Sequence, residues 1–180
     1  MQLEYEKKQL LTENQFTYLL NLLKKTTNPI AKFQINYYFD DDNFSLYKQG
    51  VTLRIRQKDS GLQLERKYGK QYFGSTRVCN EQSKKIDQFC NSINMENKTY
   101  TYKGNLVTNR TNFCIAGELI SLDANYYLGK KDYEIEIEGT GEVIVPELIK
   151  EAVSFEYKPD GKYSRFVKTL SDIAVKQLAI

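Results

Sequence analysis

The sequence predicts an α+β domain whose centre is an antiparallel sheet of about eight strands, closed into a barrel. Three observations lead there. Segments that alternate apolar and polar residues recur along the chain, and a period of two is the mark of a strand with two unlike faces. Amphipathic helical segments stand at both ends and in the middle rather than between every pair of strands, which is the α+β arrangement. Many antiparallel strands of similar length leave no exposed edge when they close on themselves.

The elements follow in order. Residues 2–9 read as a strand. TENQFTYLLNLLKK (12–25) reads as a helix capped by Thr12, with Gln15 at the capping-box spacing and Phe16, Leu19, Leu20 and Leu23 as its buried stripe. KFQINYYFDD (32–41) is a strand, and NFSLYKQG (43–50) is one or two helical turns ending at Gly50. VTLRIRQKDSGLQLERKYG (51–69) reads as a hairpin that turns at Asp59-Ser60-Gly61. YFGSTRVC (72–79) is a strand, and NEQSKKIDQFCNSI (80–93) is helix-like, with Ile86, Phe89, Cys90 and Ile93 on one side. KTYTYKGNLVTNRTNFCIAGELISLDANYY (98–127) suggests three strands with turns near Asn112 and Gly117. KKDYEIEIEG (130–139) is a strand ended by Gly139 and Gly141. Helices over VPELIKEAVSFEY (145–157) and YSRFVKTLSDIAVKQLAI (163–180) follow Pro146 and Pro159-Asp160-Gly161. No repeat, low-complexity tract or linker interrupts the chain, so residues 1–180 read as a single domain.

Composition narrows the chemistry. Hydrophobic residues are 41% and charged residues 27%, the balance of a folded globular chain. No apolar run approaches the ~18 residues of a membrane helix, and MQLEYEKKQ is no basic-then-apolar leader, so no membrane partner is expected. Cys79, Cys90 and Cys114 form no CxxC pair, and an odd count without an export signal points to a reducing cytoplasm. The chain has no histidine, which excludes Ser-His and Cys-His catalysis and His-ligated zinc. A net charge of +3, without a basic arm, calls for no long nucleic acid. The chemistry falls to carboxylates, Lys, Arg, Tyr or a hard metal ion.

The strands carry an unusual charge pattern. QLEYEKKQL puts Glu4, Glu6 and Lys8 on one face with Leu3 and Tyr5 between. TLRIRQ sets Arg54 and Arg56 against Leu53 and Ile55; LQLERK sets Glu65 and Lys67 against Leu62 and Leu64. YEIEIE sets Glu134, Glu136 and Glu138 against Tyr133, Ile135 and Ile137, and NLVTNR and ISLD add Arg110 and Asp123. Charge is sorted by strand, whereas a face that serves only solubility would mix signs, since like charges side by side repel. With helices available to cover the apolar faces, the charged faces are expected to point into the barrel. Such an interior is costly unless every charge is matched. A polyphosphate with metal ions would match it: carboxylates for Mg²⁺ or Mn²⁺, Arg and Lys for phosphate oxygens.

Those residues carry a resemblance. Glu4-x-Glu6-x-Lys8 resembles the ExExK signature of the CYTH superfamily, the triphosphate tunnel metalloenzymes. NYYFDDDNFSLYKQGVTLRIR, LERK, NLVTNR, ISLDANYYLGKKDYEIEIE and GKYSRF are similar, in order, to blocks of its small single-domain bacterial members, over residues 2 to about 168. The resemblance implies an eight-stranded closed barrel with a charged tunnel and helices around it. It implies Glu4 and Glu6 as metal ligands facing Glu134 and Glu136, with Glu138 of the right parity to join them, and Mg²⁺ or Mn²⁺ as cofactor. It implies Lys8, Arg54, Arg56, Lys67 and Arg110 as phosphate ligands, Lys162 as a cap on one end of the triphosphate, and Arg165 either assisting or structural. Asp123 would hold a basic neighbour or help position water or metal, and Glu136 could activate water.

One departure stands out: the family often has a further carboxylate on the strand after Lys67, where this chain reads FGSTRV, and the nearest acid, Glu81, is expected at the start of a helix. The implied activity is metal-dependent triphosphate hydrolysis, with inorganic triphosphate first and nucleoside or thiamine triphosphate next. The alternatives are a class IV-type adenylate cyclase and a non-catalytic binder of triphosphate or polyphosphorylated nucleotide. RNA 5′-triphosphatase and lipocalin-like readings fit less well. The expected partner is a triphosphate-containing small molecule, and the expected state a monomer or homodimer.

Overall fold

The computed structural model describes residues 2–155 and 159–178. Its elements are β1 (Gln2–Leu11), α1 (Glu13–Lys24), β2 (Ile30–Asp40), α2 (Ser45–Lys48), β3 (Thr52–Lys58), β4 (Gly61–Phe73), β5 (Thr76–Ile86), β6 (Ser92–Met95), β7 (Lys98–Ile115), β8 (Glu118–Tyr127), β9 (Lys130–Gly139), α3 (Glu147–Lys150) and α4 (Lys162–Leu178). Strands run β2-β3-β4-β5-β1-β9-β8-β7, and β7 pairs back onto β2, which closes an eight-stranded barrel; β6 adds a short ninth strand beside β7. All pairings are antiparallel. The predicted fold class is the observed one.

The apolar faces lie outside and are covered. Ile120 and Leu122 of β8 and Ile135 and Ile137 of β9 pack against Leu19 and Leu23 of α1 and against Val143, Val145, Ile149, Val153 and Phe155. Thr12 caps α1 through the predicted capping box with Gln15. On the other side, Leu53 and Ile55 of β3 pack with Phe39, Leu46, Ile93 and Tyr100. At one end of the barrel Tyr163, Phe166 and Val167 of α4 close over Tyr38, Leu106 and Tyr127.

Two residues seat α4, Asp40 and Gly104. Asp40, fully buried, accepts hydrogen bonds from the backbone N–H groups of Leu46 and Tyr47 in α2 and from the Tyr163 hydroxyl in α4. Gly104 has φ +139°, and a Cβ on it would meet Phe166 at 2.5 Å, so only glycine lets α4 approach β7 so closely.

Four expectations are corrected. Residues 80–93 are not a helix: β5 runs on to Ile86, pairing Leu64 with Lys84 and Leu62 with Ile86 on β4. Pairing with a long neighbour overrides the helix-like spacing, and Ile86 and Ile93 reach the outer core as sheet residues. The strand expected over 72–79 is broken by a turn at Gly74-Ser75, so Tyr72 and Phe73 end β4 and Thr76 begins β5. Asn112 is no turn; it pairs with both Ile30 and Ser121 inside one long strand, β7. The helix expected over 145–157 is one turn, Glu147–Lys150, after which the docking of Val153 and Phe155 on the sheet sets the path. Glu156 and Tyr157 lie outside the described residues, as do the last two residues of the expected C-terminal helix.

Candidate active site: a charge-lined tunnel

Strand alternation builds the tunnel wall. Lys8 of β1, Arg54 of β3, Glu65 and Lys67 of β4, Arg77 of β5, Asp123 of β8 and Glu134 and Glu136 of β9 are all buried, although charged. Around the ring β3 stands four strands from β9 in either direction, so the Arg54/Arg56 wall faces the Glu136/Glu138 wall across the lumen. A narrow cavity lies between them, lined by Glu4, Glu6, Lys8, Arg54, Arg56, Lys67, Arg77, Arg110, Glu136, Glu138 and Lys162, with Tyr38, Thr52, Lys70 and the first turn of α4. A second space of about 320 Å³ shares Glu4, Arg56, Arg110 and Glu138 and continues toward Lys32, Lys58 and Glu81. Exposed backbone N–H groups in the first turn of a helix attract anions, so α4 adds to the positive side.

Opposite charges saturate one another inside. Lys67 Nζ lies 2.6 Å from Glu4 and 3.0 Å from Glu81. Lys8 Nζ lies 2.7 Å from Glu6 and 3.1 Å from Glu136. Arg77 reaches Glu6 at 2.6 Å, and Arg54 reaches Glu65 at 2.7 Å. Arg110 bonds Asp123 through two nitrogens at 2.8 and 2.7 Å and also contacts Glu136. Against the upward push of burial, Lys67 and Arg77 hold the Glu4 carboxyl down at about 2. In the same way Arg54, Arg56 and Lys58 hold Glu65 at about 2. Glu138 goes the other way: burial and the neighbouring Glu136 push its carboxyl up to about 7.

The structure brings ten of the sequence-predicted residues onto one cavity: Glu4, Glu6, Lys8, Arg54, Arg56, Lys67, Arg110, Glu136, Glu138 and Lys162. Three stand behind the wall. Asp123 holds Arg110 and, at 2.8 Å, Lys162. Glu134, fully buried, is bonded by Lys162 and, at 2.8 Å, by Arg165. Arg165 also binds Asp132 and the Asp160 carbonyl. Carboxylate oxygens of Asp123, Glu134 and Glu136 gather within 4.8 Å of one another, and the Lys162 ammonium contacts all three. On the cavity surface Glu4, Glu6, Glu136 and Glu138 offer only hard oxygen donors, the set that Mg²⁺ and Mn²⁺ take.

Sequence reasoning missed Arg77, Lys70 and Glu65 as site residues and misplaced Glu81. Glu81 is on β5, directly paired with Lys67, so the carboxylate expected on that strand is present four residues beyond Arg77. The signal was the alternation Arg77-x-Cys79-x-Glu81, hidden by the helical reading of the following residues. Cys79 also faces inward, with Sγ 3.2 Å from Glu4, and burial and Glu4 push its thiol up to about 11.

The fold and site together are a closed antiparallel barrel whose lumen is lined by matched acids and bases. The chain belongs to the CYTH domain family, whose model matches residues 2–166. It is 30% identical over 149 residues to the candidate triphosphatase YjbK of Bacillus subtilis (strain 168), covering 76% of this chain and 77% of that one. Its fold is similar to that of a candidate adenylate cyclase from Bacillus halodurans, at TM-score 0.69 and 25% identity over 92% of this chain and 99% of that chain. It also resembles the Hippeastrum protein HpAC1, a candidate adenylyl cyclase described as having a dominant triphosphatase activity, at TM-score 0.71 and 20% identity over 92% and 95% of the two chains. Among the described residues no helix is long and apolar enough to cross a membrane.

Proposed function

We propose that the protein hydrolyses a triphosphate inside the tunnel with Mg²⁺ or Mn²⁺, inorganic triphosphate first and nucleoside or thiamine triphosphate next. The observation that supports this best is the cavity in which the cations of β3, β4, β5 and β7 face the carboxylates of β1 and β9. The relationship to YjbK, named as a candidate triphosphatase, supports the same reading.

A triphosphate carries about four to five negative charges near neutral pH, and holding it in a low-dielectric lumen takes several fixed cations. Arg54, Arg56, Lys67, Arg77 and Arg110 line the cavity and would bind phosphate oxygens, Arg bidentately. Lys8 would bind beside them, and Lys162 with the first turn of α4 would cap one end. Glu4, Glu6, Glu136 and Glu138 would hold the metal ion, which when bound supplies charge neutralisation and polarises the phosphoanhydride bond. Glu136, kept ionised against burial by Lys8 and Arg110, would accept a proton from the attacking water. Asp123 and Glu134 orient Arg110, Lys162 and Arg165 from behind. Catalysis of this kind is positional and electrostatic and needs no covalent intermediate, which suits a chain without histidine.

The test is phosphate release from inorganic triphosphate, ATP and thiamine triphosphate, with either metal and with chelator. Metal-dependent release from inorganic triphosphate at the highest kcat/KM is expected. Cyclic AMP and pyrophosphate from ATP in place of phosphate would make the protein a cyclase, and tight binding with no product would make it a binding module.

A further inference from the structure

Beyond Lys67, strand β4 carries one residue more than its partner. Lys67 pairs with Glu81 and Tyr68 with Asn80, but the next pair is Gln71 with Val78, so Gly69 and Lys70 together stand opposite Cys79. Gly69 permits this bulge: its φ is +64°, and a Cβ there would meet Asn80 Nδ2 at 2.8 Å. The extra residue resets the alternation. Unbroken, Gly69 and Gln71 would continue the inward face of Glu65 and Lys67; instead Lys70 lines the cavity, and Tyr72, paired with the inward Arg77, follows it.

Lys70 differs from the other cations there. Every arginine of the cavity, and Lys8, Lys67 and Lys162, touches a carboxylate. Lys70 has no carboxylate partner among the described residues. Crowding by protein atoms, and after it the nearby Arg77 and Lys8, push its ammonium down to about 8, with Cys79 opposing the shift, while the Lys70 side chain keeps an exposed surface from which to meet an incoming anion. Lys70 also stands at a junction. A further space of about 220 Å³, between Tyr47 and the first turn of α4, shares Lys70 and Arg77 with the tunnel cavity.

We propose that Lys70 is a further phosphate-binding residue, turned into the α4 end of the tunnel by the Gly69–Lys70 bulge to take a phosphoryl oxygen of the entering substrate. The inference rests on the triphosphate reading above. Unlike Lys67 or Arg110, Lys70 gives up no ion pair when it binds phosphate, so its contact adds to capture directly. It should act on affinity rather than on bond cleavage.

The test is calorimetric binding of imidotriphosphate, a slowly hydrolysed analogue of inorganic triphosphate, with Mg²⁺ present, alongside hydrolysis of inorganic triphosphate. Lys70→Met should raise Kd and KM about tenfold, with kcat within about twofold and the slope of log Kd against log salt reduced. Lys70→Arg should retain most of the affinity. Lys24→Met, an exposed lysine on α1 away from the cavity, should change nothing. Binding by Lys70→Met within about twofold of wild type would overturn the proposal. If wild type binds the analogue but cleaves nothing, and Lys70→Met still binds weakly, the role of Lys70 stands and hydrolysis falls. If wild type does not bind, both fall.

Discussion

Lys67 of β4 lays its ammonium 2.6 Å from both carboxylate oxygens of Glu4 on β1, reaching past β5, which lies between the two strands. One residue is a proposed phosphate ligand and the other a proposed metal ligand, and here they neutralise each other. Lys8 with Glu6 and Arg110 with Glu136 repeat the arrangement. Internal pairing answers the cost of burying so many charges. A metal–triphosphate complex would exchange partners across the lumen, carboxylates to the metal and cations to phosphate, with no charge left unmatched.

Lys67→Met should therefore separate two affinities that loss of structure would weaken together. Glu4 is freed, so Mn²⁺ binding without substrate should tighten several-fold, while triphosphate affinity falls about tenfold or more. Electron paramagnetic resonance of free Mn²⁺ and calorimetry with imidotriphosphate measure the two. Parallel loss of both would contradict the exchange.

Acid should unfold the protein along a defined slope. The Glu4 and Glu65 carboxyls sit at about 2, below an ordinary value of 4.5. A depressed carboxyl stabilises the fold above its unfolded pKa and loses that contribution as pH falls through the folded one. Stability should thus drop between about pH 4.5 and 2, read as Tm in chelator. Glu65→Gln should flatten this slope and cost about 3 kcal/mol at pH 7, because Arg54 is left buried without its partner. An unchanged slope would contradict the assignment.

Glu138 has the opposite sign. Its carboxyl is raised to about 7, so its contribution is present below about pH 4.5 and is lost as pH rises through 7. In chelator, Glu138→Gln should match wild type below about pH 4, where the glutamate is neutral in the folded and the unfolded chain, and exceed it in Tm at pH 8, where the glutamate ionises beside Glu136. Equal Tm values at pH 8 would contradict the raised value.

Gly104→Ala should push α4 off the barrel. The added methyl meets Phe166 at 2.5 Å on a backbone of φ +139°. A cost of about 2–3 kcal/mol, or a Tm fall of roughly 5–10 °C, is expected. Because Lys162 opens the same helix, triphosphate affinity should fall as well. Adding Phe166→Leu should restore part of both. Wild-type stability in Gly104→Ala would show that α4 is not held at this contact.

The parts legible in the sequence are those in which local pattern and tertiary role agree. Glu4-x-Glu6-x-Lys8, Arg54-x-Arg56 and Glu134-x-Glu136-x-Glu138 alternate cleanly, and closure of the sheet turns each charged face inward. Thr12 and Gln15 announce α1 by a local hydrogen-bond pattern, which the structure contains. Legibility fails where a neighbour decides. Ile86, Phe89, Cys90 and Ile93 have helical spacing, yet Leu62 and Leu64 of β4 hold residues 84–86 in a ladder. Lys70 could not be placed by parity, because the bulge at Gly69 reverses parity and one sequence does not reveal a bulge. Asp123 and Glu134 join the charged strand faces in the sequence and Arg165 enters through the family resemblance, and only the side-chain contacts put all three behind the wall.

The most direct measurement is a ³¹P nuclear magnetic resonance time course of inorganic triphosphate with Mg²⁺ or Mn²⁺, for wild type and for Glu4→Gln/Glu6→Gln. Triphosphate signals should decay in step with the growth of pyrophosphate and orthophosphate, stop on addition of chelator, and decay at least about a hundredfold more slowly in the double variant. Triphosphate that persists with wild-type protein and either metal, or that decays equally with the double variant, would contradict a tunnel built to cleave it.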